Sequence, residues 1–310
     1  MKVVVLSGGV GGARFLRGVV DVVDGAEVTA VVNVGDDVEV LGLAVSPDLD
    51  SVLYALAGLA DEERGWGRAD ETWHAIDEAA TFGGEAWFKL GDRDLGLHLV
   101  RTQALRLGKP LSAVTARLAA AAGVEAALLP ATDDRLRTWL ETPNGSFPFQ
   151  EWFVARGHRD PVSRVRFEGA AQAMPAPGVL EAFHEADAIL IAPSNPFVSI
   201  GPILAVERIR RALERRRVPA IAVSPLIGGR AVRGPAADML RRLQGGTTPA
   251  HVADCYAGLV DALVFDEADA AAAGIVRERG VRPIVTRTLM HDGASRRRLA
   301  EAALDAVAVA

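Results

Sequence analysis

Residues 3–14 read VVVLSGGVGGAR, an apolar run followed by four glycines, and they lead into a helical pattern. The run predicts a short buried strand, the glycines a loop, and the next residues an amphipathic helix. Glycines here let backbone N–H groups approach an anion at the positive end of a helix. We therefore expect Gly8, Gly9, Gly11 and Gly12 to bind a phosphate group. The alternative, a tight turn with positive φ, would need only two glycines.

The glycine loop differs from two common phosphate-binding patterns. It has no Lys-Ser/Thr pair, so it is not a P-loop. Arg14 stands where the dinucleotide fingerprint has Gly or Ala. The loop thus predicts an anion site without matching either pattern.

Short apolar runs rich in β-branched residues alternate with helical patterns such as 203–215 and 294–306. Runs that are apolar throughout predict strands buried on both faces, hence a parallel sheet covered by helices. The fold class we predict is α/β, with a doubly wound, mostly parallel Rossmann-like sheet. The predicted strands are Val3–Leu6, Val28–Val32, Ala126–Leu129, Ala188–Ala192, Ala220–Val223, Ala262–Phe265 and Pro283–Thr286.

Two stretches interrupt this alternation. Residues 48–123 show little strand signal and several helical runs, which predicts a helical excursion over one edge of the sheet. Residues 138–167 carry aromatic side chains between turn residues, which predicts a short β/loop excursion with one helix. Because no linker or repeat is present, we expect a single unit over 1–310, with its α/β core at about 1–47 and 124–310.

Polar, often glycine-containing segments follow the predicted strands repeatedly. Ligands of open α/β sheets bind beyond the carboxyl ends of the strands, so these segments should meet at one site. Their convergence is stronger evidence for a ligand than any one of them. The segments are Ser7–Arg14, Asn33–Asp37, Ala131–Asp134, Pro193–Gly201 and Ser224–Gly229.

Two acidic segments are suited to a divalent cation. Asp36 follows a strand in the sequence NVGDD, where its carboxylate could bind a metal, contact a ribose or stay solvated. Asp48 and Asp50 alternate, so an extended backbone would place both carboxylates on one side; a helix start could instead use one as its N-cap. Hard cations such as Mg²⁺ prefer carboxylates together with substrate phosphate oxygens.

The segment Phe88–Asp94 gathers four charges around one glycine. Lys89 or Arg93 could neutralise a diphosphate or hold an acceptor molecule. Asp92 could cap the following helix. A cluster of surface salt bridges remains the alternative interpretation.

Two loops after neighbouring strands are typical of a nucleotide site. Residues Pro193–Pro202 contain three prolines, and Ser194, Asn195 and Ser199 could hydrogen-bond a base, ribose or phosphate. Residues Ser224–Arg230 again supply glycines. Such a pair of loops is hard to explain as turns alone.

Composition excludes several classes of protein. A net charge of -6 gives no electrostatic support for binding nucleic acid or an anionic membrane. Cys255 is the single cysteine, so no intrachain disulfide can form, and its apolar helical setting predicts a buried side chain. The six histidines form no closely spaced pair, so we expect no zinc site. No apolar run approaches the roughly 18 residues of a membrane span, and we expect a cytoplasmic protein.

The ordered set of motifs resembles the 2-phospho-L-lactate transferase family of deazaflavin coenzyme biosynthesis. The glycine loop alone is weak evidence, but the set runs in family order from residue 6 to about 230. The matching strings are Leu6–Ala13, Asn33–Asp37, Pro47–Tyr54, Arg64–Gly67, Leu90–Asp94, Pro193–Pro196 and Ser224–Pro225.

The resemblance implies a reaction. A guanosine diphosphate ester of lactate or enolpyruvate is the donor, and 7,8-didemethyl-8-hydroxy-5-deazariboflavin (Fo) is the acceptor. The terminal ribityl hydroxyl of Fo attacks the distal phosphorus and GMP leaves, with Mg²⁺ required. The alanine- and arginine-rich composition suggests a GC-rich bacterial source, for which the family favours the enolpyruvyl donor. A homodimer is compatible with the family.

The resemblance also implies site residues. Lys89 stands where archaeal members carry arginine; lysine keeps the charge but loses the planar fork. Candidate catalytic residues are Asp50 and Asp36, and candidate metal ligands are Asp36, Asp48 and Asp50. The candidate Fo-binding residues are Asp50, Lys89, Asn33, Asp92 and Arg93; the candidate nucleotide-binding residues are Gly8, Gly9, Gly11, Gly12, Ser194, Asn195, Pro196, Ser199, Gly228 and Gly229.

Two other functions are compatible with parts of the sequence. Gluconeogenesis-factor proteins share the glycine loop and sheet, and would be non-catalytic binders of nucleotide sugars. An NAD-dependent dehydrogenase is disfavoured by Arg14 and by the two additional nucleotide-like loops. The strings Arg64–Gly67 and Leu90–Asp94 favour the transferase over both.

Overall fold

A central sheet of seven parallel strands runs through the computed structural model, which describes residues 1–308. All seven predicted strands belong to this sheet, each within one residue of its predicted bounds. The strands of the chain are β1 Val3–Ser7, β2 Val28–Val32, β3 Val38–Val40, β4 Leu43–Val45, β5 Ala127–Pro130, β6 Arg137–Thr142, β7 Gly145–Pro148, β8 Arg164–Glu168, β9 Ala188–Ile191, β10 Ala220–Val223, β11 Leu226–Ile227, β12 Arg230–Ala231, β13 Ala262–Asp266 and β14 Arg282–Thr286.

The strand order is β14-β13-β10-β9-β1-β2-β5. In the middle, Val5 of β1 pairs with Ala30 of β2 on one side and with Leu190 of β9 on the other. The chain builds outward from β1 to β2 and β5, then returns to the other side of β1 for β9, β10, β13 and β14. The winding direction therefore reverses between β1 and β9, which is the switch point where open α/β sheets bind ligands. The predicted doubly wound sheet is confirmed, and it is parallel throughout.

Helices cover the sheet and form one hydrophobic core with it. Strands β1, β9, β10 and β13 are buried along their whole length, as their continuous apolar sequence predicts. The predicted helix over 203–215 is broken at Val206, whose ψ is 99°. The helices are α1 Gly9–Val20, α2 Pro47–Leu56, α3 His74–Thr81, α4 Asp92–Arg106, α5 Leu111–Ala121, α6 Val179–Glu185, α7 Gly201–Ala205, α8 Glu207–Glu214, α9 Ala236–Gln244, α10 Pro249–Cys255, α11 Ala273–Glu278 and α12 Gly293–Ala308.

The predicted helical excursion consists of α2 to α5. It begins with Pro47, and Ser46 is the N-cap, so Asp48 and Asp50 lie inside the first turn of α2. The extended backbone that we considered for these two aspartates is therefore wrong, and neither of them is the N-cap. Proline explains the difference, because its fixed φ suits the first position of a helix.

The second excursion is a three-stranded antiparallel sheet of order β7-β6-β8. Its predicted helix is the single turn Glu151–Ala155. Phe149 stacks on Phe153 with ring centroids 5.2 Å apart, and Trp152 is buried beside them in a small core of its own. A short hairpin, β3–β4, was not predicted. Within residues 1–308, none of the helices is long and apolar enough to cross a membrane.

Candidate active site

A cavity of about 670 Å³ opens at the carboxyl ends of the central strands. Its walls come from the segments that follow β1, β2, β9, β10 and β14, together with the first turns of α2 and α4. The segments after β1 and β9, on either side of the switch point, both belong to this lining. The predicted site residues in its lining are Gly8, Gly9, Gly11, Asp36, Asp48, Asp50, Lys89, Ser194, Asn195 and Ser199.

The glycine loop forms one wall of the cavity, with the N-terminus of α1 directed into it. Gly9 has φ +67°, a conformation that favours glycine. A Cβ on Gly8 would lie 2.7 Å from Oδ2 of Asp48. Gly12 lies behind the lining, where a Cβ would come within 2.6 Å of the Ser194 hydroxyl. The glycines thus allow the backbone to pack closely. They also leave the N-terminus of α1 free of side chains, and a helix N-terminus is a natural site for an anion.

Ser194 ties the glycine loop to the loop after β9. Its hydroxyl donates to the carbonyl of Gly8 at 2.7 Å, across the switch point. The side chain of Asn195 has partners within the protein, because its Oδ1 accepts from the backbone N–H of Phe197 at 2.9 Å and its Nδ2 donates to Sδ of Met239 at 3.4 Å. Pro196 lies in the same turn but outside the cavity lining.

The glycines of the loop after β10 have a different place. Gly228 and Gly229 are the two central residues of the hairpin between β11 and β12, with φ of +58° and +70°. A two-residue hairpin turn of this kind requires positive φ at both positions. Neither glycine lines the cavity, whereas Ser224 and Pro225, just before the hairpin, do.

Asp36 and Asp48 form a pair of buried carboxylates at the base of the cavity. Burial raises the pKa of Asp36 well above its ordinary value, and the charge of Asp48 raises that pKa further. Burial also raises the pKa of Asp48, against the hydrogen bond that Asn33 Nδ2 donates to it at 2.8 Å. Oδ1 of Asp36 is buried and has no hydrogen-bond partner among the described residues. Two desolvated carboxylates that repel each other fit a cation between them.

Asn33 lies behind this pair rather than in the cavity lining. Its Nδ2 also donates to the carbonyl of Val198 at 3.2 Å, and its Oδ1 accepts from the N–H of Gly35 at 2.7 Å. Residues 1–308 contain no group of three or more His, Cys, Asp or Glu side chains arranged as metal ligands. A cation here would therefore use the carboxylates of Asp36 and Asp48 together with oxygens of a bound substrate.

Asp50 has a partner that the other two aspartates lack. Both oxygens of its carboxylate accept from the guanidinium of Arg101, with Nη1 2.9 Å from Oδ2 and Nη2 bonded to Oδ1. Nδ1 of His98 lies 3.3 Å from Nη1 of Arg101. Burial lowers the pKa of His98 to about 4, so its ring is neutral at pH 7. Asp50 thus enters the cavity as a carboxylate whose charge is already balanced.

Asp94 lies on the same wall. The hydroxyl of Tyr54 donates to its Oδ1 at 2.5 Å, and Asp50 and Glu71 face it with further negative charge. Burial raises the pKa of Asp94 to about 6, although the hydrogen bond from Tyr54 opposes the shift. Because an unfolded aspartate has a pKa of about 3.9, the folded protein holds this proton more tightly than the unfolded chain.

This shift predicts how stability depends on pH. Between pH 4 and 6 the folded state binds more protons at Asp94 than the unfolded state, so the free energy of unfolding falls as pH rises through this window. Two pKa units correspond to about 3 kcal/mol, fully lost above pH 6. Asp94→Asn keeps an acceptor for Tyr54 and removes the titration.

The variant should therefore gain stability relative to the parent as pH rises from 4 to 6, with a constant difference above. Urea unfolding of both proteins at several pH values measures this difference, and other titrating groups cancel in it. Parallel curves over the window would show that Asp94 does not titrate there.

The charged residues of the segment Phe88–Asp94 lie in different places, some in the cavity lining and some outside it. Lys89 reaches the cavity lining, with Nζ 2.8 Å from Oδ1 of Asp77 in an exposed ion pair. Arg93 lies outside the lining, 3.9 Å from Asp70 at the surface. Asp92 also lies outside: it is the first residue of α4, but its carboxylate accepts from the backbone N–H groups at the start of α3. Of these three, only Lys89 is placed to meet a ligand.

Comparison with known proteins assigns this arrangement to a family. A family model described as 2-phospho-L-lactate transferase CofD matches residues 3–305, nearly the whole chain. The chain belongs to the 2-phospho-L-lactate transferase family. It is therefore an enzyme with a transferase activity, as the ordered motifs predicted.

Several curated relatives of this transferase are named phosphoenolpyruvate transferase. The relative from Streptomyces coelicolor is 48% identical over 287 residues, which cover 91% of this chain and 90% of the relative. The relative from Nocardia farcinica is 46% identical, covering 92% and 90% of the two chains. The relative from Mycolicibacterium smegmatis is 43% identical, covering 92% and 94%.

Solved structures agree with the transferase in fold. A crystal structure of protein BH3568 from Bacillus halodurans superposes with a TM-score of 0.65, covering 98% of this chain and 99% of that chain. The two sequences are 20% identical, so the likeness concerns the fold alone.

The transferase also lines its cavity with residues to which the sequence assigned no role. Arg14 reaches it from α1 and donates to the carbonyl of Glu62 at 3.2 Å. Arg233, after the β11–β12 hairpin, donates to the carbonyl of Arg64 at 2.8 Å and so joins two segments of the lining that are far apart in the chain. The lining also includes five aromatic residues, and their clustering between the main helices and strands is the signal that could have pointed to them: Trp66, Trp87, Phe88, Phe149 and Phe153.

Proposed function

We propose that this transferase moves the phosphoenolpyruvyl or phospholactyl group of a guanosine diphosphate ester to the terminal ribityl hydroxyl of Fo, releasing GMP, in deazaflavin coenzyme biosynthesis. The relatives named phosphoenolpyruvate transferase favour the enolpyruvyl donor. The observation that carries the proposal is the cavity itself. It combines a phosphate-type helix N-terminus, a charge-balanced carboxylate and an aromatic wall in one space.

The switch point offers the place for the guanosine diphosphate. The N-terminus of α1 faces the cavity with glycines around it, which suits the negative charge of a diphosphate. Ser194 and Ser199 line the same end and could bind the nucleoside part. In this arrangement the distal phosphorus points toward the acidic end of the cavity.

The acceptor would bind on the side of the cavity that is lined by residues of the two excursions. Fo carries a flat tricyclic ring, and the aromatic residues of the lining offer faces on which such a ring can stack. Lys89 lies on that wall and can meet polar groups of the ring. The ribityl chain would then extend toward α2 and Asp50.

Asp50 is the residue that we assign to the attacking hydroxyl. Its carboxylate accepts the hydroxyl proton while the hydroxyl oxygen bonds to the distal phosphorus. The bond from that phosphorus to the bridging oxygen breaks, and GMP leaves with the bridging oxygen. Orientation of the two reactants can lower such a barrier by about 7–11 kcal/mol, and a base typically adds about 10²–10⁴-fold.

Asp36 and Asp48 are the residues that we assign to Mg²⁺. The orphaned oxygen of Asp36 and the mutual repulsion of the two carboxylates fit a cation. When bound, Mg²⁺ supplies positive charge next to the diphosphate oxygens. Asp50, the third candidate ligand, already has its charge balanced by the guanidinium of Arg101, so we assign it to the hydroxyl instead.

The direct test is an assay with both donors. Purified protein with Mg²⁺ and Fo would receive the enolpyruvyl or the lactyl ester of guanosine diphosphate, and mass spectrometry would detect the phosphodiester product. We expect one mole of GMP per mole of product and faster turnover with the enolpyruvyl ester. No product with either donor would overturn the proposal.

A thermal-shift comparison separates the proposal from the other ligand classes. GDP should raise the melting temperature, whereas a UDP-sugar and NAD should not, because a ligand stabilises only the fold that binds it. A shift with the UDP-sugar alone would favour the gluconeogenesis-factor alternative. The homodimer, the cytoplasmic location and the lack of nucleic-acid binding stay predictions.

The glycine loop gives a further expected result. Gly11→Val would place Cβ 3.0 Å from the carbonyl of Pro193 and fill space at the helix N-terminus. We expect GDP affinity to fall about tenfold or more, equivalent to about 1.4 kcal/mol. Gly274→Val is the matched control, since Gly274 also lies in a helix and a Cβ there meets nothing within 4 Å. Calorimetry with GDP on both folded variants makes the comparison; equal affinities would reduce the loop to a turn.

A further inference from the structure

Two of the apolar side chains of helix α4 are exposed, while four of its polar side chains are buried: Asp94, His98, Arg101 and Thr102. His98 and Arg101 are buried, at 2% and 1% exposure, while Leu99 and Val100 are 58% and 40% exposed. An ordinary surface helix shows the opposite arrangement. The buried polar side of α4 therefore has polar partners inside the protein. One of them is Asp50 of α2, which accepts from Arg101.

Arg101 makes the closest contact on this side. Its two terminal nitrogens engage the two oxygens of Asp50, a planar fork on a planar carboxylate. Asp50 lines the cavity, whereas Arg101 lies behind it and outside the lining. The guanidinium thus acts on the cavity only through the carboxylate that it holds.

Stability alone does not explain this pair. A buried ion pair often stabilises a fold no better than apolar residues of the same volume. Nε of Arg101 is also buried and has no partner within residues 1–308, which adds to the cost of burying the group. The neutral ring of His98, against the same guanidinium, contributes no compensating charge.

We propose that Arg101 is a positioning residue: its guanidinium fixes the plane of the Asp50 carboxylate so that the free lone pairs point at the acceptor hydroxyl in the cavity. The inference rests on the proposed function, because it concerns the hydroxyl of that acceptor.

Two features make the fork a positioning device. Bidentate contact fixes rotation of the carboxylate about its Cβ–Cγ bond, which a single contact would leave free. It also leaves, on each oxygen, a lone pair that the fork does not use. A hydroxyl bound in the cavity would then meet a carboxylate held in one orientation, instead of a carboxylate that rotates.

The test uses four variants of the whole protein in the two-donor assay: Arg101→Gln, Arg101→Lys, Asp50→Asn and the double variant Asp50→Asn/Arg101→Gln. Arg101→Gln should lower kcat about 10–10²-fold, since a small misplacement of a reacting group has effects of this size. KM for the guanosine donor should change less than about twofold, because other loops bind it. Arg101→Lys should recover part of the kcat, since lysine keeps the charge but not the fork.

The double variant separates positioning from stability. If the two residues act as a unit, its kcat should lie within about twofold of Asp50→Asn alone, because effects within a catalytic unit are not additive. Its melting temperature should exceed that of Arg101→Gln, which leaves a buried carboxylate without a partner.

Arg216→Gln is the matched control. Arg216 forms an ion pair with Asp261 at 2.7 Å, before β13 and at the opposite end of the sheet from the cavity. Its loss should lower the melting temperature and leave kcat unchanged. If Asp50→Asn is impaired but Arg101→Gln keeps a kcat within twofold of the parent, the positioning role of Arg101 is wrong and the proposed function still stands. A parent protein without transfer to Fo would overturn the proposed function, and the inference with it.

Discussion

Asp50→Asn should lower kcat by about 10²-fold or more, within the range of a lost general base. Asparagine keeps the size of the side chain and one oxygen for Arg101, but it removes the charge that attracts the hydroxyl proton. Affinity for GDP without acceptor should hardly change, because the nucleotide is assigned to the loops after β1 and β9. Steady-state turnover and calorimetry on the same preparation measure the two effects.

A matched control separates this result from a general effect of losing an aspartate beside a helix. Asp133 accepts from the backbone N–H and from the hydroxyl of Ser112, at 2.6 and 2.7 Å, in the first turn of α5. Asp133→Asn should retain activity because the residue lies outside the cavity lining, and its amide oxygen can still accept from the N–H of Ser112. If Asp50→Asn behaves like this control, the catalytic assignment of Asp50 fails.

Removing divalent cations should lower turnover by about 10²–10³-fold or more, because loss of a metal removes several kcal/mol of charge stabilisation. Exhaustive chelation followed by gel filtration tests this expectation, and added Mg²⁺ should restore the rate. Full activity after chelation would remove the metal from the mechanism and leave Asp36 without a role.

A measurement without turnover locates the cation. Mg²⁺ with GDP should raise the melting temperature of the parent more than GDP alone, since a ligand that binds only the folded state stabilises it. Asp36→Asn should lose this additional shift. The shift should also weaken as pH falls, because burial and neighbouring charge raise the pKa of Asp36 and protons compete with the metal for its carboxylate. An unchanged shift in Asp36→Asn would place the cation elsewhere.

The sheet could be predicted from the sequence because its strands carry their own signal. A run such as Ala188–Ile191 is apolar at every position, and only burial on both faces explains that. The polar segments after β1, β2, β9 and β10 then predicted the position of the cavity, whereas the predicted segment Ala131–Asp134 after β5 lies outside its lining. Parallel strands bring their carboxyl ends to one edge regardless of how far apart they lie in the chain.

The side-chain contacts of the helical excursion, α2 to α5, were harder to predict because some of its charged side chains are buried instead of exposed. An arginine within a helix ordinarily indicates a solvent-exposed face. Nothing in the sequence therefore distinguished the buried Arg101 from the arginines of α8. Asp48 and Asp50 looked like an alternating pair, but Pro47 starts a helix there. Asp92 looked like a cap for its own helix, and its partner is the helix before. Such pairings depend on tertiary contacts that local sequence does not record.

The contacts at the start of α3 and α4 have a consequence for how the family can change. Asp92 holds the first turn of α3, while Glu71 accepts from the N–H groups of Arg93 and Asp94 in the first turn of α4. The chain between Glu71 and Asp92 is thus an insert whose two ends are fastened to each other rather than to the sheet.

Trp87 and Lys89 lie on this insert and face the cavity. A segment with joined ends tolerates changes of length in its exposed loops at small cost, since the entropy of loop closure grows slowly with length, provided that the buried Ile76 and Leu90 are kept. The part of the wall that we propose for the acceptor could therefore change during evolution, or be changed by design, without altering the glycine loop that we propose for the phosphates.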